Sequence, residues 1–177
     1  MAHAKFVPTS VFSRQSFVSG NQTADDFMRG LIRDHQDVLP NRLPEAAIAT
    51  KDQARIQSRA GAAVSYDPTS GKLIINPGFK QWEQVPAMVR ESAARGLIST
   101  DHAAYPLLQE TAHAEHHEKV GDAKFLAVMN SGFGNRRTYE LISREVSVRA
   151  VESQTEFVAE VYAGLRTGRT YPRSIMN

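Results

Sequence analysis

The stretch "LLQETAHAEHHEKVG", residues 107–121, decides how the chain is read. In a helix, side chains four apart stand one turn above each other on the same face. Gln109 and His113 have that spacing, and so do His113 and His117. Leu107, Leu108, Thr111 and Ala112 then form a buried side. Thr100 or Asp101 is a candidate cap in front, and Gly121 a candidate stop behind. His102, His113, His116 and His117, four of the six histidines, fall within sixteen residues. That density points to a polar centre, although a solvated helix face also gathers histidines.

Working outward, "AAVSYDPTSGKLIINP" (62–77) reads as strand, turn, strand. Val64 and Tyr66 precede the D-P-T-S-G turn; Leu73, Ile74 and Ile75 follow it, and Pro77 closes the second strand. "KQWEQVPAMVRESAARGL" (80–97) is mainly helical, with Trp82, Val85, Met88 and Val89 facing the core and Gly96 as terminator. "TADDFMRGLIRDHQDVL" (23–39) is a helix capped by Thr23 and ended by Pro40. Residues 41–59 are ambiguous: Pro44 could open a short helix, with strand character beginning near Arg55. "DAKFLAVMNSGFGN" (122–135) gives a short helix and a Gly-rich loop, and 136–151 a helix or a helix plus a turn. "SQTEFVAEVYAGLRTG" (153–168) is a helix with Phe157, Val158, Val161, Tyr162 and Leu165 inside and Gly168 as its stop. Residues 1–22, with isolated Phe6, Val11, Phe12, Phe17 and Val18, read as an extended arm. With no repeat and no linker, residues 23–177 make one domain.

Composition narrows the chemistry. At 41% hydrophobic and 23% charged, the 177 residues can build a real core. No run reaches the roughly 18–20 apolar residues needed to span a bilayer. The N-terminus lacks a sustained apolar region, so the expected location is the cytoplasm of the producing cell, or export by a route without a signal peptide. Without cysteine, thiolate metal sites, disulfides and cysteine nucleophiles are excluded. The net charge of +2 comes from intermixed residues, which argues against a nucleic-acid groove. No serine sits in a nucleophile elbow, and "NSGFGN" lacks a phosphate-loop lysine.

Two histidines four apart on a helix can share a metal ion, and a glutamate following the first can hold the attacking water. Here Gln109 occupies the first of those positions, Glu110 the base position and His113 the second. Glutamine is a weak, neutral ligand for zinc. A further ligand would come from "TEFVAE" (155–160), where Glu156 and Glu160 share a face. Ser153 and Glu156 also fit a capping box, which would turn Glu156 back to the backbone instead. His113 and His117 offer a register-shifted pair, but Ala114, not a glutamate, follows His113.

The order "AVSYDPTSGKLIINP", helix, "QETAH", and then "EFVAEVYAGLRTGRTYP" resembles the compact gluzincin-type zinc metallopeptidases. These include the catalytic domain of anthrax lethal factor and the zincin domains of phage head-morphogenesis and toxin proteins. The likeness covers about residues 60–172. It implies an α+β fold in which a small antiparallel sheet packs on an active-site helix and on a second, glutamate-bearing helix. It further implies Glu110 as general base, His113 and Glu156 as metal ligands, Glu160 as a carboxylate supporting them, and strand 72–76 (Leu73, Ile74, Ile75) as the edge that pairs with a peptide. Gln109 stands where the first histidine belongs, and Arg149 where the family places a tyrosine seven residues before the glutamate ligand. Two departures imply a decayed centre, with zinc weak or absent. The function then expected is a structural or interaction module with protein partners, in a phage virion. The alternative is an active zinc peptidase using Gln109 or His117 as an atypical ligand.

Overall fold

The computed structural model describes residues 18–176; the expected arm 1–22 therefore lies mostly outside the described residues. Within them are eight α-helices and a three-stranded sheet, a mixed α+β chain. Helix α1 spans Gln22–Asp34, and its cap is Asn21, whose side chain accepts from the Ala24 N–H; Thr23 already lies inside the helix. Strand β1 is Ala46–Ile48 and helix α2 is Lys51–Ala60. Strand character near Arg55 is thus corrected. Thr50 and Gln53 form a reciprocal capping box that starts a helix there, and Gly61 ends it at φ +67°.

Strands β2 (Val64–Asp67) and β3 (Lys72–Ile75) form the expected hairpin. Asp67 builds its turn, accepting from the Thr69 N–H at 3.0 Å and the Ser70 hydroxyl at 2.7 Å. The sheet order is β1-β3-β2, with β1 parallel and β2 antiparallel to β3. Two expectations fall here. The sheet is mixed, and Leu73, Ile74 and Ile75 lie in its central strand, hydrogen-bonded on both sides. All three are buried, so both faces of the strand are covered at these positions.

A 3-10 turn at Trp82–Gln84 leads into helix α3, Val85–Ala94, in which Met88 points outward. Helix α4 is Tyr105–Val120 and α5 is Asp122–Met129. No side chain caps α4, so Thr100 and Asp101 do not do so; Pro106 occupies its first turn instead. Helix α6 (Arg136–Glu145) is followed by a 3-10 turn at Arg149–Val151, then α7 (Gln154–Arg166) and α8 (Arg173–Met176).

The main core joins α1, the sheet, α3 and the apolar side of α4, with Leu107 and Leu108 fully buried. Each contributes roughly 1.5–3 kcal/mol relative to an exposed leucine. A smaller core gathers Ile142, Val146, Ala150, Val151 and Ile175. The fully buried positions of helix α7, which packs on α4, are Thr155, Ala159, Glu160, Ala163 and Gly164. Of the larger residues its pattern suggested, Tyr162 packs on the main core and bonds Glu115 of α4, while Phe157 and Val161 pack on the smaller core. Small side chains let the two helix backbones approach closely, and the large ones lie half-buried at the flanks, with Leu165 exposed. That packing brings 109, 113 and 156 together.

Candidate functional site

Gln109 and His113 present one face of α4 to the first turn of α7. The Gln109 amide nitrogen lies 2.8 Å from Glu156 Oε2 and 3.1 Å from His113 Nε2. His113 Nε2 is 3.3 Å from Glu156 Oε1. Arg149 Nε donates to Glu156 Oε2 at 2.8 Å. The amide orientation follows from its neighbours, because turning it over would set its oxygen against the carboxylate. Ser153 caps α7 by accepting from the Glu156 N–H at 3.1 Å. The Glu156 carboxylate itself turns away to this cluster instead of closing a capping box.

The electrostatics match that geometry. Burial works to raise the Glu156 pKa, but His113 and Arg149 outweigh it and hold the carboxyl down at about 2. Burial would lower His113, yet Glu156 and Glu110 raise it above the ordinary histidine value. Arg149 is likewise desolvated, and the Glu156 charge keeps it firmly protonated. Neutral His113 accepts from the Gln109 amide, and protonated His113 donates to Glu156.

Glu110, expected as the base, is 6% exposed and accepts the Tyr66 backbone N–H through Oε2 at 2.5 Å. Tyr66 lies in β2, an outer strand of the sheet. The carboxylate therefore caps a free strand-edge donor. Burial raises its pKa, against the pull of His113 and of that hydrogen bond.

Glu160 lies one turn beyond Glu156 and is fully buried. It accepts the Ser99 N–H at 2.6 Å, the Ser147 hydroxyl at 3.0 Å and the Tyr105 hydroxyl. These partners, not His113, satisfy it, so it braces α7 against the start of α4. His117 also turns elsewhere. Its Nδ1 meets the Tyr66 hydroxyl at 2.9 Å, its Nε2 meets Asp122 Oδ1 at 2.8 Å, and Phe125 packs on its ring. The structure thus unites Gln109, His113 and Glu156, holds Glu110 beside them, and separates Glu160 and His117. Tyr105 escaped the sequence reading, although it stands four residues before Gln109 on the same helical face.

The donor set does not fit a zinc ion. One imidazole and one carboxylate remain, the amide turns its nitrogen to them, and a guanidinium already neutralises the carboxylate. Among the described residues no three His, Asp or Glu side chains are grouped to hold a metal ion. Among them, too, no helix is long and apolar enough to cross a membrane. The chain matches no family model, no curated protein and no solved structure.

Proposed function

We propose that this chain is a zincin-like protein whose catalytic centre has become a salt-linked brace, and that it acts as a structural or interaction module. The observation carrying this reading is the Arg149–Glu156 pair at 2.8 Å, with the Gln109 amide bridging Glu156 and His113. A peptidase of this kind needs a metal to acidify a water and a carboxylate free to take its proton. In this chain a cation and an amide occupy the ligand positions, and one oxygen of Glu110 is held by the Tyr66 amide. The cluster still does chemical work, since it ties α4 to α7 with charge-assisted hydrogen bonds. The proposed setting, a phage virion with protein partners, rests on the sequence resemblance.

Peptide hydrolysis is the test. The purified chain, incubated with zinc and an unfolded protein substrate, should show no cleavage above a His113→Ala control. Cleavage that disappears in His113→Ala and in Glu110→Gln would restore the peptidase reading.

A further inference from the structure

On the far side of α4 from this cluster lies a cavity of about 360 Å³, between the C-terminal half of α4, the β2–β3 turn and residues 42–45. Four carboxylates line it (Glu45, Glu115, Glu118 and Asp122) against two cations, Arg42 and Lys72. The lining is therefore net negative in a chain whose overall charge is +2. The C-terminal end of α4 and the N-terminal end of α5 meet at Gly121, so their dipoles oppose each other and the side chains set the local field.

The hydrogen-bonding capacity is as lopsided as the charge. Asp122 only accepts, so His117 Nε2 carries the proton facing it at 2.8 Å. In the neutral imidazole, Nδ1 then accepts the Tyr66 hydroxyl proton at 2.9 Å. Asp122, His117 and Tyr66 all line the cavity, and this relay leaves the Tyr66 oxygen with lone pairs to offer and no proton. Burial and the neighbouring Asp67, Asp122 and Glu118 charges push the Tyr66 pKa up to about 12, so it stays a neutral phenol. Thr111 also lines the cavity. It is 1% exposed, and its hydroxyl has no hydrogen-bond partner among the described residues, which is unusual for a buried hydroxyl. Arg42 reaches Glu118 only at 3.8 Å with both side chains about half exposed, a contact an incoming cation can displace.

We infer that this cavity binds the cationic side chain of a basic protein segment, a lysine ammonium or arginine guanidinium seated among Glu118, Asp122 and the Tyr66 oxygen. The inference goes beyond the silent-centre reading and stands without it, since none of its groups belongs to the Gln109–Glu156 cluster.

The probe is an end-blocked peptide of alternating glycine and lysine, titrated into the isotope-labelled full chain and followed by amide NMR shifts. Saturable shifts are expected at Tyr66, Thr111 and Glu118. They should vanish when the lysines are acetylated and weaken about three- to fivefold in Glu118→Gln and in Tyr66→Phe. Glu91→Gln, outside the cavity lining, should change nothing. Shifts spread over the surface, equal weakening by Glu91→Gln, or persistence with the acetylated peptide would each overturn the inference. Because the readout is binding, failure here leaves the peptidase test of the main centre untouched.

Discussion

Arg149 Nε lies 2.8 Å from Glu156 Oε2, so a guanidinium sits on the carboxylate that the sequence resemblance assigns to a metal. The Arg149 side chain is 40% exposed and that of Glu156 18%. Solvent therefore screens the pair on one side only. Arg149→Ala should destabilise the fold by about 1–2 kcal/mol, less than a fully buried pair would cost because Gln109 and His113 still hold the carboxylate. Chemical denaturation gives the value, and no loss at all would mean that the pair is incidental.

The cluster sets a pH window. Glu156 has its folded pKa depressed from 4.5 to about 2, so its contribution is complete above its unfolded value and is lost as pH falls towards 2. That shift corresponds to roughly 3 kcal/mol. His113 has its folded pKa raised, so its contribution is present below the unfolded value and is lost as pH rises through the folded one. Stability measured across pH should show both limbs. Glu156→Gln should flatten the acid limb, and His113→Gln the upper one.

Glu110 serves β2. Removing its carboxylate in Glu110→Ala strands the Tyr66 N–H and should cost about 1–3 kcal/mol. Glu110→Gln keeps an accepting oxygen and should cost less. Amide hydrogen exchange at Tyr66 checks this directly, since protection there should fall in the alanine variant and be largely kept in the glutamine one.

Buried Glu160 accepts three donors. Glu160→Gln replaces one accepting oxygen with an NH₂ that faces donors, and should lose about 2–3 kcal/mol by thermal or denaturant unfolding. Tyr105→Phe removes only one of those bonds and should lose less.

Much of this was legible in the chain, and the failures have physical causes. The hairpin was readable because D-P-T-S-G is turn chemistry between two β-rich runs. The helix over 105–120 was readable from its apolar pairs and from Gly121. The pairing order of the sheet was not, because β1 is three residues long and reaches β3 through a helix and a hairpin, contacts that no local pattern records. Helix α2 was missed although Thr50 and Gln53 spell its capping box. The inner face of α7 was legible in part: Phe157, Val161 and Tyr162 pack on the cores, but Leu165 is exposed, and Ala159 and Ala163, which a hydrophobic pattern underweights, are fully buried. The shared face of Gln109 and His113 was legible from spacing; that Glu156 joins them was implied only by the resemblance. Arg149 was seen to stand in a tyrosine's place near the site, but its grip on Glu156 became visible only in the fold.

The most direct measurement is zinc retained after dialysis, by elemental analysis, for the parent chain and for Gln109→His combined with Arg149→Tyr. The account predicts a parent free of bound zinc and a double variant holding about one equivalent, since a second imidazole and the loss of the guanidinium restore a three-ligand site. Stoichiometric zinc in the parent, lost in His113→Ala, would contradict it.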